Sequence, residues 1–320
     1  MDLSVVIPIY NEAENIEALH QEVTGAVADL GLDYEIVYVD DGSSDQSFTL
    51  LAAIAQRDPR AVVVSFRRNF GQTAAMSAGF DHARGKIIVT MDGDLQNDPQ
   101  DIPKLLAKLN EGYDIAAGWR FDRQDAYLTR KLPSRLANGL ISRITKVELH
   151  DYGCTLKAFR QEVVQNIRLY GEMHRFIPAI ASWMGVNIVE VPVNHRARRA
   201  GVSKYGLGRT VRVVLDLITV KFLLTYATRP IQIFGLWGLM AGGVGVLLAL
   251  YYAVQRLFMG VPLGNKPGLL LAVLLIFIGV QLISIGLVGE MQVRTYYETQ
   301  QKPTYTVRQV LNRPSLKPGD

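Results

Sequence analysis

The chain is 320 residues long, 49% hydrophobic and 20% charged, with a formal net charge of +4. That length accommodates one sizeable domain plus a second element, and the single cysteine, Cys154, excludes a disulfide framework and fits a reducing compartment as a small buried hydrophobe. The mild basic excess comes with no nucleic-acid-binding motif and argues for an anionic lipid surface rather than a nucleic-acid partner.

Met1-Asp2-Leu3 enters an apolar run without a basic leader, so no signal peptide is expected. Residues 3–8 form a continuous apolar strand, followed by Tyr10-Asn11-Glu12 and a helical pattern from about residue 14 to 30. A second strand over residues 34–39 ends in Asp40-Asp41-Gly42-Ser43-Ser44, with Ser44 as the expected cap of a helix running to about residue 57. A third, over residues 61–66, leads into Arg67-Arg68-Asn69-Phe70-Gly71-Gln72 and another helix. The fourth is the β-branched run Ile87-Ile88-Val89-Thr90, which ends in Asp92-Gly93-Asp94-Leu95-Gln96 before Asp98-Pro99 opens a new helix as cap and first position.

Apolar strands alternating with helices predict an α/β domain with a mostly parallel sheet. In such a sheet Tyr10-Asn11-Glu12, Asp40-Asp41, Arg68 and Asp92/Asp94 all fall just past strand carboxyl ends, where open α/β sheets bind ligands. A chance scatter of acidic loops gives no reason for that shared edge. Two carboxylates at i and i+2 offer hard oxygen ligands suited to a magnesium or manganese ion that also holds phosphates. No Gly-x-Gly-x-x-Gly follows the first strand, and the segment from Gly260 to Lys266 lacks P-loop spacing, so dehydrogenase and P-loop readings lose their main support. The histidines His20, His82, His150, His174 and His195 have no metal-ligand spacing and are expected to be structural.

The motifs Val6-Ile7-Pro8-Ile9-Tyr10-Asn11-Glu12, Val39-Asp40-Asp41-Gly42-Ser43 and Asp92-Gly93-Asp94-Leu95-Gln96, in that order, resemble family 2 glycosyltransferases of GT-A (Rossmann-like) fold, and among them the polyprenyl-phosphate glycosyltransferases. The resemblance implies that Pro8, Tyr10, Glu12, Val39 and Asp41 hold the nucleoside of the nucleotide-sugar donor; Arg68 is expected beside the donor from its place past a strand end. It also implies that Asp92, Asp94 and Gln96 hold a divalent metal (Mg2+ or Mn2+) and the donor diphosphate.

Beyond a fifth strand over residues 113–119 come Arg120 and Leu128-Thr129-Arg130-Lys131-Leu132-Pro133-Ser134-Arg135. The latter resembles a lipid-phosphate-binding stretch of dolichol-phosphate mannose synthases, which implies acceptor roles for Arg120, Arg130 and Ser134; guanidinium forks suit phosphate oxygens. The segment from Asp151 to Arg160 resembles the family's Asp-x-x-Ser-Gly-Phe-Arg with departures in the middle. A phosphate acceptor arrives largely ionised, so Asp151 is expected to orient groups rather than take a proton, a capping or structural aspartate being the bland alternative. The basic loop over residues 195–205 resembles an Arg-x-x-Gly-x-Ser-Lys motif, implying that Arg198 and Lys204 close over the donor or lipid phosphate; as bare sequence it equally suits a membrane-surface patch.

Residues 231–254 and 268–289 carry no charged side chain and are each long enough at helical rise to cross a hydrocarbon core of roughly 30 Å. The expected organisation is a GT-A domain over residues 1–205, an amphipathic interfacial helix region over 206–229, a transmembrane hairpin over 230–292, and a tail over 293–320 with no folding signal. Arg and Lys flank the hairpin on its outer ends more than in its turn, which predicts a multi-pass protein of the inner (plasma) membrane with both termini cytoplasmic. Gly235, Gly238, Gly242, Gly243 and Gly245 permit close helix contact within the hairpin or between protomers, and a homo-oligomer is expected.

The expected activity is inverting transfer of one sugar to polyprenyl phosphate, with UDP-glucose favoured over GDP-mannose and UDP-aminoarabinose. A processive polysaccharide synthase fits less well, because Gln165-Asn166-Ile167-Arg168-Leu169 lacks the tryptophan of the usual Gln-x-x-Arg-Trp and two spans are few for a polymer channel. A non-catalytic nucleotide-sugar-binding membrane receptor or scaffold is the alternative of another class.

Overall fold

Four runs rich in valine and isoleucine become buried strands: β1 (Leu3–Ile9), β2 (Tyr34–Asp40), β3 (Ala61–Phe66) and β4 (Ile87–Thr90). A computed structural model of the chain describes residues 1–121, 139, 142, 147–167, 169, 173–182, 184–196, 231–260, 262, 266–299 and 305–313. Two compact units emerge, one formed by Met1–Val220 with Lys302–Asp320, the other by Lys221–Gln301.

In the first unit, α1 (Ile16–Ala28), α2 (Ser47–Arg57) and α3 (Gln72–His82) connect the strands, which pair in parallel in the order β4-β1-β2-β3. Ile16, Leu19, Val23 and Val27 recur at helical spacing on α1 and join the core with Ile7, Ile36, Tyr38, Leu51 and Ile54. The order of elements then runs α4 (Ile102–Asn110), β5 (Ile115–Arg120), β6 (Lys157–Arg160), α5 (Gln161–Gln165), α6 (Ile177–Ser182), β7 (Ile188–Val193) and, near the chain's end, β8 (Val307–Leu311). The completed sheet is β7-β5-β6-β4-β1-β2-β3-β8, with β6 and β8 antiparallel to their neighbours. Six strands therefore deliver their carboxyl ends to one edge.

Two local expectations are corrected. Ser44 does not cap α2: its backbone N–H donates to Asn11 Oδ1 at 2.8 Å, and Asp45 Oδ1 instead accepts from Ser47 N–H at 2.9 Å. The tail does fold over residues 305–313, because β8 pairs with β3. The Asn312 side-chain amide donates to the carbonyls of Ala55 (2.7 Å) and Ala61 (2.8 Å), and Arg313 pairs with the buried carboxylate of Glu35. A five-residue edge strand whose partner lies near the other end of the chain leaves no local signal. The Asp98 cap is as expected: its carboxylate accepts from Gln100 N–H at 3.1 Å, ahead of a 3₁₀ turn at Pro99–Asp101.

His174 marks where acid should loosen this unit. It is buried, 2.7 Å from Thr73 Oγ1, and burial, with Arg175 and Lys157 nearby, pushes its pKa down to about 3. The unfolded imidazole titrates near 6.5, so the unfolded state takes up a proton that the fold refuses. Stability is then lost as pH falls below 6.5, by about 2 kcal/mol at pH 5 from this group. We expect the urea midpoint to drop between pH 7 and 5, and His174→Gln to flatten the drop; part remains, since burial also lowers the pKa of His20 and His82.

The second unit is a helical hairpin of α7 (Ile231–Met259) and α8 (Pro267–Thr299). Within them Phe234–Met259 and Pro267–Gly289 are long and apolar enough to cross a membrane, and most of their side chains are exposed, unlike those of a soluble core helix. Glycines set the helix approach: a Cβ on Gly238 would lie 2.7 Å from the Gly279 carbonyl oxygen, and one on Gly245 would lie 2.7 Å from that of Ala272. Gly245→Leu should therefore force the helices apart and lower the melting temperature in detergent, at a cost of about 1–3 kcal/mol. Gly243→Leu, where an added Cβ meets nothing within 4 Å, should leave it unchanged.

Candidate active site

Strand β4 ends at Thr90, and the chain turns through Asp92, Gly93 and Asp94 against the end of β1. A Cβ at Gly93 would lie 2.5 Å from the tip of the Ile9 side chain and 3.3 Å from the Pro8 carbonyl oxygen, so the residue between the two aspartates packs closely against the end of β1. The turn is tight enough to hold Leu95 at φ 60°, a costly left-handed conformation for a residue with a side chain. Asp92 is half-buried; its backbone N–H donates to Asn97 Oδ1 (3.1 Å), and its Oδ1 accepts from the Gln72 amide at 2.7 Å. Asp94 is 8% exposed and accepts from Gln96 N–H at 3.2 Å.

Burial first, and the neighbouring carboxylate of Asp94 second, push the Asp92 pKa up to about 6. That repulsion is what a divalent cation relieves, and carboxylate oxygens are the ligands such a cation prefers. Among the described residues no cluster of three or more His, Cys, Asp or Glu side chains is disposed for a metal. Two carboxylates with further positions left to substrate phosphates fit magnesium or manganese. The Gln96 side-chain amide, also expected as a ligand, donates to the Arg196 carbonyl at 3.4 Å.

The neighbouring loops are tied to this turn. Asp41, 3% exposed at the end of β2, accepts from the backbone N–H groups of Phe70 (2.7 Å) and Gly71 (2.9 Å), and the next residue is the Gln72 that reaches Asp92. Burial pushes Asp41 up to about 6, with those N–H groups pulling the other way. Gly42, at φ 65°, lets the Arg68–Asn69 backbone come close, since a Cβ there would sit 2.4 Å from the Arg68 carbonyl carbon. The Arg68 guanidinium lies over the Phe70 ring at 4.1 Å. Asn11 N–H donates to Ser43 Oγ and Glu12 N–H to Ser47 Oγ, so the loop holding Tyr10 and Glu12 is stitched to the β2 loop. Pro8 and Val39 are register partners in β1 and β2, and Val39 is fully buried.

On the other flank, Arg120 at the end of β5 is held in a bidentate pair by Asp151, Nε to Oδ2 at 2.6 Å and Nη2 to Oδ1 at 2.9 Å. Asp151 N–H in turn donates to Glu190 Oε1 of β7 at 2.9 Å. Burial opposes the Arg120 charge, but the Asp151 hydrogen bonds and charge outweigh it and raise its pKa. Lys157 is buried, donates to the Cys154 carbonyl, and has its pKa lowered by burial; its charge and that of Arg120 both act on Asp92. Thr155 Oγ1 donates to Asn97 Oδ1 at 3.1 Å and Thr90 Oγ1 to the Thr155 carbonyl at 2.7 Å, fastening this segment to the aspartate turn. Burial pushes the Cys154 thiol up to about 11, which suits the inert role expected of it.

Strand β7 leads to His195, which bridges to Asn97, and Arg196, whose N–H donates to the Gln96 carbonyl at 2.9 Å. The basic loop thus begins beside the aspartate turn. Arg198 and Lys204 lie outside the described residues, as do Arg130, Ser134 and the interfacial region over residues 206–229. Gln72, Asn97, Thr155, Lys157 and Arg196 belong to the site without having been expected there. Only Gln72, just past β3, carried a positional signal.

A mostly parallel sheet with paired aspartates beyond a central strand, flanked by the loops of its neighbours, is an α/β domain of GT-A type. The family model for glycosyl transferase family 2 matches residues 4–168, and the chain belongs to that family. It is 44% identical to the dodecaprenyl-phosphate galacturonate synthase of Rhizobium johnstonii, covering 98% of this chain and 94% of that protein. It is 40% identical to the undecaprenyl-phosphate 4-deoxy-4-formamido-L-arabinose transferase of Pseudomonas aeruginosa, covering 99% and 93%. Among solved structures it resembles glucosyl-3-phosphoglycerate synthase from Mycobacterium tuberculosis, with a TM-score of 0.53 and 22% identity over 70% of this chain and 79% of that one, a likeness of fold.

Proposed function

We propose that the protein transfers a single sugar, with inversion, from a nucleotide diphosphate donor to a polyprenyl phosphate at the cytoplasmic face of the membrane. The observation that supports this reading is the Asp92/Asp94 pair at the sheet's carboxyl edge, with Gln72 donating to Asp92 and the preceding Gly71 donating to Asp41. The two membrane-length helices and the full-length relatives support a lipid acceptor. Identity of 44% with a galacturonate synthase, against 40% with a formamido-arabinose transferase, supports galacturonate ahead of the glucose expected from sequence.

In this reading Asp92 and Asp94, with Gln96, would hold the divalent ion, which when bound would supply positive charge beside the departing diphosphate. Asp41 fixes the loop at Phe70 and Gly71 and, with Pro8, Tyr10, Glu12 and Val39, frames the nucleoside. Arg68, Arg198 and Lys204 meet the donor phosphates. Arg120 presents the outward part of its fork to the acceptor phosphate, with Arg130 and Ser134 alongside. The acceptor oxygen is already ionised, so rate comes from alignment and charge placement rather than proton removal.

The test is a panel of radiolabelled nucleotide-linked galacturonate, formamido-arabinose, glucose and mannose incubated with purified protein, polyprenyl phosphate and magnesium or manganese. One label should become organic-soluble, and galacturonate is expected; no lipid-linked product from any donor would leave a non-catalytic sugar-nucleotide receptor. Labelling of cysteines introduced at either terminus tests the cytoplasmic orientation, and mass measurement in detergent tests the homo-oligomer.

A further inference from the structure

We infer that Tyr305 is a positioning residue for the donor site, which makes the C-terminal segment 305–313 a working part of that site; the inference rests on the nucleotide-sugar reading above. The Tyr305 ring is 8% exposed and stacks on Phe66 at 5.0 Å with 16° between planes. Phe66 meets Phe70 edge-on at 5.7 Å, and the Phe70 ring carries the Arg68 guanidinium. Beside Tyr305, the Thr306 carbonyl accepts from Arg67 N–H at 3.1 Å, at the start of the loop whose Phe70 and Gly71 N–H groups hold Asp41. The opposite end of α3 is held as well: Tyr305 Oη donates to Asp81 Oδ2 at 2.7 Å, and Arg313 donates to the His82 carbonyl.

Residues 67–72 thus run between two fixed points, Asp41 just past β2 and the aromatic stack ending at Tyr305, and their last member contacts Asp92. Aromatic pairs contribute about 0.5–1.5 kcal/mol beyond area burial and have preferred geometry, so this stack fixes direction as well as distance. Tyr305 touches neither donor nor reacting atoms. Its loss should therefore weaken donor binding and leave the chemical step nearly intact.

The experiment uses the full chain in detergent, with uridine and guanosine diphosphate plus magnesium as binding probes, donor KM and kcat measured alongside. Tyr305→Ala should weaken binding of the diphosphate that the wild type prefers, and raise donor KM, by about 10-fold, with kcat within about 3-fold. Tyr305→Phe keeps the stack and should recover most of that loss. Leu311→Ala, which trims β8 at its other end where it packs on the core, should lower the melting temperature without moving either constant. Unchanged binding in Tyr305→Ala, or an equal loss in Leu311→Ala, overturns the inference while leaving the donor site standing. A wild type that binds neither diphosphate overturns both.

Discussion

Asp92→Asn should lower sugar transfer by about 10³-fold and at the same time raise the melting temperature of the metal-free protein. The two effects share one cause. Asp92 sits partly buried against Asp94 and titrates near 6, whereas the unfolded carboxyl titrates near 3.8. As pH rises from about 4 to 6 the unfolded state gives up its proton before the fold does, so the metal-free protein loses stability through that window. At pH 7 the cost reaches at most about 3 kcal/mol. Asparagine keeps the hydrogen bonding of the site without the charge and removes that cost. On the metal-holding role proposed for Asp92, what it forfeits is an anionic ligand for an ion that would balance the leaving diphosphate, and the loss of one strong electrostatic contact of that kind typically costs 10²–10³-fold. Melting curves in chelator, then with manganese and uridine diphosphate, separate the parts: the wild type should gain with ligand and Asp92→Asn should not. A variant that keeps a tenth of wild-type transfer, or melts lower than wild type in chelator, would remove Asp92 from the metal-holding role.

The sheet, its parallel centre and the edge that collects Tyr10, Asp41, Arg68 and Asp92 were legible because fully buried strands write themselves as unbroken Val and Ile runs and because strand ends in an open α/β sheet share one rim. The residues that brace the rim were not. Thr155 and Lys157 act on this turn from an element far away in sequence, and Asn97 from a few residues on in the same loop, through contacts with no periodicity to betray them. Arg196 is similar: its guanidinium pairs with Glu22 on α1 and with Asp98 at 2.7 Å, a tie that a local reading sees only as one more charge in a basic loop. Strand β8 fails for a related reason. An edge strand of five residues is set by the partner it adds to, and the signal that located it lies in β3 rather than in its own composition.

Asp151→Asn should cost about 10–100-fold in transfer, expressed mainly as a raised KM for polyprenyl phosphate, with the pH profile of kcat/KM unchanged in shape. Both carboxylate oxygens of Asp151 are engaged by Arg120, and its backbone is pinned by Glu190, so the side chain is committed to aiming a guanidinium. In the asparagine variant one oxygen becomes an NH2 that faces a donor, the fork is released, and a largely buried cation loses its counter-charge; breaking such a pair is worth about 3–5 kcal/mol. The melting temperature should fall with it, in contrast to Asp92→Asn. A general base would behave differently. Its removal would abolish the acid limb of the profile and depress kcat with little change in acceptor KM. A phosphate acceptor needs no such base, since its second ionisation near pH 6 already supplies the nucleophile and sets that limb by itself. Arg120→Lys sharpens the distinction, because a lysine keeps the charge but cannot hold two parallel hydrogen bonds to Asp151 or offer a planar face to phosphate. It should reproduce the acceptor KM defect of Asp151→Asn, and the double variant should be little worse than either single one. Additive losses, or an acid limb that vanishes in Asp151→Asn, would show that Asp151 handles the proton itself.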